Sequence, residues 1–170
     1  MTRQGRAGEH DVTVTKTVAL DTQAGSLLDI DYRLDGLPPG EHLSFGVEFN
    51  FAAMAAGADD RFFYGPDGSP LGQLQTVAQY EEFDRLGLVD EWLGIDVSLD
   101  LSQPGTIWTM PIQTVSQSEG GFELVHQSTV VLPHWHIEAD ETGQWRVSLK
   151  LTLDTSAAQA RQLVTAAVGG

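Results

Sequence analysis

The chain has 170 residues, of which 41% are apolar and 19% charged, and this fits one globular domain with a sizeable core. Nine Lys and Arg stand against 24 Asp and Glu, giving a formal net charge of −15, which argues against nucleic acid and anionic membranes as partners because both require clustered cations. Neutral partners such as polysaccharides remain compatible with this charge. The absence of cysteine excludes disulfides and thiolate metal sites.

Residues 1–11 are polar and glycine-bearing, so a flexible leader is predicted there. They lack the apolar segment of a secretory signal, and no apolar run in the chain approaches the ~20 residues of a membrane-spanning helix. No membrane partner is therefore expected. If the coding unit begins at Met1, the protein is expected to be cytoplasmic.

Alternation of apolar and polar residues with period 2 predicts strands over residues 12–20, 26–34 and 43–53. Turn residues separate these strands at 21–25 and 35–40. In the third strand, Phe45, Val47, Phe49 and Phe51 share one face, and Glu48 and Asn50 lie on the other.

The next segments are less regular. Residues 55–73 are rich in Gly and Pro and predict a loop region. Within 74–87, the apolar residues Leu74, Val77, Tyr80 and Phe83 have the spacing of one helical face, and a strand is the alternative for this segment. Residues 92–101 alternate and predict another strand.

Residues 106–135 contain two long β-type runs joined by a polar corner at 116–121, which suits a hairpin or a wider β-arch. Further strands are predicted over 135–139 and 144–153. The alanine-rich residues 156–168 suit a short helix or a linker. Eight or more such strands predict an all-β fold, an antiparallel β-sandwich, as one domain over 12–154 followed by a C-terminal segment, 155–170.

Three stretches also carry a resemblance to a known family. They are TVSQSEGGFE at 114–123, followed by Gln127 and VVLPHW; FGVEFNF at 45–51; and ADDRFFY at 58–64. They resemble the C-terminal β-sandwich domain of the α-amylase/4-α-glucanotransferase group in glycoside hydrolase family 57, over roughly residues 12–153. The order of polar residues in TVSQSEGGFE is specific, because strand propensity does not require it.

The resemblance implies a galactose mutarotase-like fold in which residues 74–87 belong to a sheet. It also implies a carbohydrate-associated domain that binds or positions α-glucan and supports a glycoside hydrolase catalytic domain, in cis or in trans. The catalytic acids of that family lie in an N-terminal barrel domain, and none of that barrel's motifs occurs here. We therefore expect no catalysis by this chain alone.

Candidate sugar-contacting residues are few. Glu48 and Asn50 combine a carboxylate and an amide, the usual partners of sugar hydroxyls, although a solvated sheet face explains them equally well. Arg61 follows two aspartates and would clamp a hydroxyl or form a structural ion pair. Gln117 and Glu119 lie in the polar corner, where they would either face a groove or, like Gln127, hold the corner together through hydrogen bonds.

Among the four tryptophans, Trp108 and Trp135 are the candidates for stacking on a pyranose ring, and burial in the core is the alternative for both. The predicted carbohydrate-binding set is Glu48, Asn50, Arg61, Trp108, Gln117, Glu119 and Trp135.

His134 and His136 are two residues apart and share a face if they lie on a strand. A metal site or an acid–base pair would use this spacing, but structural histidines are the favoured interpretation, and no metal or cofactor is expected. Two alternatives to glucan binding remain: a purely structural domain, and a mutarotase-like enzyme that uses His126, His134 and His136 with Glu48 or Glu119. A deep pocket with two histidines and a carboxylate would favour the enzyme, and an exposed tryptophan beside a carboxylate would favour binding.

Overall fold

A computed structural model describes residues 1–21, 26–52, 55–118 and 121–159 of the chain. Nearly all of this part is antiparallel β-sheet. The strands are β1 Thr2–Ala7, β2 His10–Asp21, β3 Ser26–Asp35, β4 Leu43–Gly46, β5 Phe49–Ala52, β6 Arg61–Tyr64, β7 Pro70–Gln73, β8 Ala78–Asp90, β9 Ile95–Ser118, β10 Gly121–Ile137 and β11 Gln144–Asp154.

The strands form two layers that share β8 and β9. In the first layer the order is β1-β2-β3-β11-β9-β8-β6-β7, and in the second layer β9 pairs with β10, which also pairs with β4 and β5. Strands β8 and β9 pass from one layer to the other where their pairing shifts register, between Tyr80 and Phe83 and again between Phe83 and Arg85. Such bulges bend a strand and increase its twist.

An aromatic cluster joins the two layers in the core. Tyr32 on β3 and Trp145 on β11 belong to the first layer, and Phe45 on β4 and Trp135 on β10 belong to the second. The Phe45 ring lies 5.4 Å from that of Tyr32 and 5.6 Å from that of Trp145, and the Trp135 and Trp145 rings are 5.7 Å apart between centroids. These contacts confirm the predicted antiparallel sandwich, because side chains from both layers fill one core.

The N-terminal residues differ from the prediction. Residues 1–11 were expected to be a flexible leader, but Thr2–Ala7 form β1, which pairs with β2 from Thr2 opposite Thr15 to Ala7 opposite His10. Both faces of β1 are largely exposed. A strand of this kind needs only backbone hydrogen bonds to its neighbour, so its polar sequence lacks the alternation that marks the other strands.

The middle of the chain is also divided more finely than predicted. The strand expected over 43–53 is split into β4 and β5, with the amide of Val47 bonded to the carbonyl of Pro133 at 3.0 Å between them. The predicted loop region contains the short hairpin β6–β7. Residues 78–90 form β8, so the helical alternative for this segment is wrong.

The apolar spacing in β8 has a simple cause. Tyr80 and Phe83 stack at 5.2 Å on the inner face although they are three residues apart, because the bulge between them takes up one extra residue. The bulge therefore explains the helix-like spacing of Tyr80 and Phe83, whereas Leu74 and Val77 precede β8.

After β11, residues 156–159 form one helical turn, whose first amide bonds to the Asp154 carboxylate at 2.8 Å. The remainder of the predicted C-terminal helix lies outside the described residues. In the part of the chain that the structure covers, no helix has the length and apolar character needed to cross a membrane.

Candidate functional site

A groove of about 600 Å³ lies on the outer face of the second layer. Trp108 on β9, His134 and His136 on β10, and Gln79, Glu81 and Glu82 on β8 contribute its polar and aromatic lining. Ser44 and Gly46 on β4 close its other side.

Strand register places these residues together. In one cross-strand row, Gln79 lies opposite Trp108, which in turn lies opposite Leu132. In the next row, Thr106 lies opposite His134, and His134 lies opposite Gly46. Residues two apart on a strand share a face, so both rows point outward from the same side of the sheet.

The indole of Trp108 is held in position while 40% of the residue stays exposed. Its Nε1 donates to Oε1 of Gln79 at 3.0 Å, and Nε2 of Gln79 donates to Oε1 of Glu81 at 3.0 Å. The His134 ring contacts the indole with centroids 4.3 Å apart. Trp108 is thus a fixed, partly exposed aromatic surface.

Gly46 keeps the groove open beside the two histidines. A Cβ atom at this position would lie 3.2 Å from Cδ2 of Leu132 and 3.3 Å from Cβ of His134, closer than ordinary van der Waals contact. A side chain here would occupy part of the groove floor.

His134 and His136 lie on one face, as predicted from their spacing. Oγ of Ser44 lies 3.3 Å from Nδ1 of His136. Nδ1 of His134 is covered and has no hydrogen-bond partner among the described residues. The described part of the chain also contains no cluster of three His, Asp or Glu side chains arranged to hold a metal ion.

Two consecutive carboxylates, Glu81 and Glu82, both line the groove. Regular alternation would place them on opposite faces, but the bulge in β8 interrupts the alternation. Glu82 has a φ of 56° and is the only non-glycine residue with positive φ among those described. Backbone strain of this kind is often found at functional sites. The pair gives the groove an acidic wall suited to accepting hydrogen bonds.

The predicted sugar-contacting residues do not lie together in one site. Trp108 is exposed and lies in the groove. Glu48 and Asn50 are exposed but do not line it; Nδ2 of Asn50 donates to Oε1 of Glu48 at 2.7 Å. Gln117 is exposed near the end of β9 and also lies outside the groove lining. Glu119 lies outside the described residues.

Arg61 lies on β6, in the first layer, and takes part in two ion pairs. Its Nε lies 2.9 Å from Oδ2 of Asp90, whose side chain is only 1% exposed, and its Nη1 lies 2.9 Å from Oδ1 of Asp60. This geometry matches the structural ion pair that was the alternative to a sugar clamp.

The expectation that Trp135 forms a sugar-stacking surface is wrong in this structure. Trp135 is only 5% exposed, and its Nε1 donates to the carbonyl of Gln103 at 3.3 Å. Its ring is covered by Phe45 and Trp145 in the core, so neither of its faces is available to a sugar.

Sequence reasoning missed Gln79, Glu81 and Glu82 as site residues. They lie in the segment whose apolar spacing left helix and strand open. The sequence does contain one signal for them. If Tyr80 and Phe83 both point inward on one strand, regular alternation allows a single residue between them, so the two glutamates indicate one extra residue and therefore a bulge.

The fold and the groove define an all-β sandwich domain that presents an open, acidic, aromatic site on the outer face of one layer. Residues 1–149 match the family model described as "Alpha-amylase/4-alpha-glucanotransferase, C-terminal". The chain belongs to this family.

Individual relatives agree with this assignment. The chain is 26% identical over 129 residues to "Alpha-amylase 1" of Dictyoglomus thermophilum, covering 74% of this chain and 18% of the relative. It is 28% identical over 134 residues to "4-alpha-glucanotransferase" of Thermococcus kodakarensis, covering 77% of this chain and 17% of the relative. The chain therefore spans less than a fifth of the length of these curated relatives.

A solved structure has the same fold. The crystal structure of 4-alpha-glucanotransferase from Thermococcus litoralis superposes with a TM-score of 0.66 and 21% sequence identity, covering 89% of this chain and 20% of that one. At this identity the match establishes the fold alone.

Proposed function

We propose that this chain is a non-catalytic domain that binds α-glucan in the Trp108 groove and supports a catalytic domain of an α-amylase or 4-α-glucanotransferase type. The observation that carries the proposal is the Trp108 indole, which is exposed yet held by Gln79 and His134 beside two carboxylates. The family to which the chain belongs supplies the choice of α-glucan as ligand.

The chemistry of the groove fits a neutral sugar chain. The apolar C–H face of a pyranose stacks on the indole, while its hydroxyls donate to Glu81 and Glu82 and exchange hydrogen bonds with Gln79. A groove of about 600 Å³ has the size of a small-molecule site and accommodates a few sugar units.

The negative charge of the groove and of the whole chain disfavours anionic sugars as ligands. The two glutamates lie in a chain of formal net charge −15, and a phosphorylated sugar would be repelled by both the site and the whole molecule. An uncharged glucan meets no such repulsion. Affinity is expected to be weak, because an open, hydrated sugar site gains little per contact over water.

The test is a titration of the intact chain with maltooligosaccharides, followed by tryptophan fluorescence. We expect a saturable change in the wild type that is lost in Trp108→Ala. The matched control is Trp92→Ala, because Trp92 is 72% exposed but does not line the groove, and it should bind as the wild type does.

Binding that persists unchanged in Trp108→Ala would place the ligand elsewhere. A folded wild type that binds no α-glucan would contradict the proposal and leave a purely structural domain as the better account.

A second candidate function, interconversion of sugar anomers, is favoured by one observation: two histidines and two glutamates line the same groove. In that reaction a base removes the proton from the anomeric hydroxyl and an acid protonates the ring oxygen, which opens the ring and allows it to close on the other face. Glu82 and His134 would be the groups available for these roles.

Polarimetry distinguishes this candidate from glucan binding. If the chain is an anomer-converting enzyme, it accelerates mutarotation of α-D-glucose and His134→Ala removes the acceleration. The binding proposal predicts a rate no higher than that of free imidazole at matched concentration.

A further inference from the structure

Four aliphatic side chains continue the outer face of the second layer beyond the Trp108 groove. Residues two apart on a strand share a face, so the positions at steps of two from Trp108 on β9 and from His134 on β10 also point outward. Among them are Met110, Ile112, Val130 and Leu132, which we call the aliphatic strip. Leu132 also lines the groove, so the strip begins there. Val130 is only 3% exposed, so other side chains on this outer face pack over it.

The aliphatic strip carries no charge, unlike the outer face of the first layer. There Lys150 on β11 lies between Asp29 on β3 and Asp100 on β9, and Ser148 on β11 lies opposite Asp31 on β3. Charged and hydroxyl side chains of this kind are typical of a sheet face in contact with water. An apolar strip that is bordered by polar groups instead indicates a binding surface.

Glu48 borders the strip on the side away from the groove. Strand β10 keeps one register with β4 and β5, which places Glu48 beside Leu132. Leu132 in turn lies opposite Trp108 on β9. Neighbouring strands are ~4.8 Å apart, so the backbones at Glu48 and Trp108 are about 10 Å apart across the sheet. Glu48 and Trp108 therefore lie in one cross-strand row, at opposite sides of the strip.

The side-chain amide of Asn50 is oriented by two hydrogen bonds. Its Oδ1 accepts from Oγ of Ser128 at 3.4 Å, and its Nδ2 donates to Oε1 of Glu48 at 2.7 Å. These bonds leave one N–H of Asn50 and one oxygen of Glu48 for a ligand. An amide donor beside a carboxylate acceptor matches two neighbouring sugar hydroxyls, one of which accepts a hydrogen bond while the other donates one.

We infer that Glu48 and Asn50 form a second sugar subsite, and that the ligand of this domain is a long glucan chain rather than a short oligosaccharide. The chain runs from the Trp108 groove over the aliphatic strip to this pair. The C–H groups of its rings cover the strip, and its hydroxyls bind the two polar side chains. The inference rests on the proposed function, because the groove holds the first part of the chain.

Spacing determines which ligands reach both positions. A pyranose ring is roughly 5 Å across, because its single bonds are about 1.5 Å long, so about one further ring fits between a ring stacked on Trp108 and a ring at Glu48. Maltose therefore occupies the groove alone, whereas maltoheptaose reaches both positions at once. Contacts at two linked positions strengthen each other, because binding at the first holds the rest of the chain close to the second.

The test compares the dissociation constants of maltose and maltoheptaose in chemical-shift titrations of the intact chain. Asn50→Ala and, separately, Glu48→Ala should weaken maltoheptaose binding by roughly 2- to 10-fold, the value of about one net hydrogen bond, and leave maltose binding unchanged. Asp31→Ala is the matched control and should bind both sugars as the wild type does. Asp31 is an exposed strand residue on the outer face of the first layer and accepts a hydrogen bond from Ser148, as Asn50 does from Ser128.

The possible results separate this inference from the proposed function. Wild-type affinity for maltoheptaose in both Asn50→Ala and Glu48→Ala would overturn the inference and leave the Trp108 groove as the whole site. An equal loss for both sugars would also overturn it, because the pair would then act on the same ring as Trp108. A wild type that binds neither sugar would contradict the proposed function and this inference together.

A second measurement needs no substitution. Asn50 is the only asparagine in the chain, so selective ¹⁵N-asparagine labelling gives the side-chain amide resonances of Asn50 without further assignment. We expect these resonances to move saturably with maltoheptaose and to stay in place with maltose, while the indole resonance of Trp108 moves with both. Side-chain resonances of Asn50 that stay in place at saturating maltoheptaose, while the Trp108 resonance moves, would overturn the inference and leave the proposed function standing.

Discussion

His134 packs its imidazole against the indole of Trp108, with ring centroids 4.3 Å apart and ring planes inclined by 56°. Gln79 holds the same indole through a hydrogen bond to Nε1. The two contacts come from the strands on either side of β9, so the aromatic surface is positioned before any ligand arrives. A preorganised surface loses less conformational entropy when a ligand binds. This difference is important for a sugar site, because each contact there contributes little binding free energy.

Substitution of Gly46 tests whether the groove itself is the binding site. In Gly46→Val the added side chain crowds Leu132 and His134 and fills the floor of the groove, so we expect glucan binding to be lost while the chain stays folded. Binding is measured by calorimetric titration and folding by circular dichroism.

Gly5→Val is the matched control, because Gly5 is also a strand glycine and a Cβ there meets nothing within 4 Å. Retained affinity in folded Gly46→Val would place the ligand outside the groove.

The two candidate tryptophans should behave oppositely in unfolding experiments. Trp135→Ala removes a large buried side chain and should lower the free energy of unfolding by about 3–5 kcal/mol. Trp108→Ala removes a partly exposed one and should lower it by roughly 1 kcal/mol or less. Urea denaturation of both variants measures the difference, and equal losses would contradict the assignment of one residue to the core and the other to the site.

Arg61 is expected to affect stability rather than ligand binding. Arg61→Ala leaves the buried Asp90 carboxylate without its guanidinium partner, which should cost about 3–5 kcal/mol in the free energy of unfolding. The exposed pair Arg33–Asp35 is the comparison, and Arg33→Ala should cost about 0–1 kcal/mol. Loss of glucan binding in a fully stable Arg61→Ala would instead indicate a sugar clamp.

Tyr64 should make stability fall at high pH. Burial raises the pKa of Tyr64 to about 12, assisted by its hydrogen bond to the Asp96 carboxylate at 2.8 Å. Because the folded-state pKa lies above the unfolded value of 10.0, the stabilisation is fully present below pH 10 and is lost as the pH rises through about 12.

The measurement is the difference in melting temperature between the wild type and Tyr64→Phe across this pH range. We expect the advantage of the wild type to shrink as the pH rises. A difference that stays constant with pH would contradict the raised pKa. Subtracting the variant isolates Tyr64 from Tyr80, whose pKa is also raised by burial.

Much of the fold could be predicted from the sequence because most strands bury one face. In β3, Ile30, Tyr32 and Leu34 are buried and alternate with polar residues, and this alternation identifies the strand without further information. Strand β1 could not be predicted from alternation, because it buries neither face and is held by backbone hydrogen bonds to β2.

The site could be predicted only in part. Alternation shows which residues share a face but not which face meets the core, and on β9 both Ile107 and Trp108 are apolar. Ile107 is buried and Trp108 is exposed, because the packing of the two layers determines which face of β9 meets the core. The two adjacent glutamates Glu81 and Glu82 indicate a bulge if the segment is a strand, but the sequence does not show that both reach the groove, because this depends on the register between β8 and β9.

The most direct test of glucan binding follows the indole N–H resonances of the ¹⁵N-labelled chain during titration with maltoheptaose. The chain has four tryptophans, and Trp108→Phe identifies the resonance of Trp108. We expect this resonance to move saturably, because its Nε1 lies at the edge of the site, while the resonances of the buried Trp135 and of Trp145, which packs against the core, stay in place. A Trp108 resonance that does not move at saturating maltoheptaose, in a chain whose other resonances confirm that it is folded, would contradict the account.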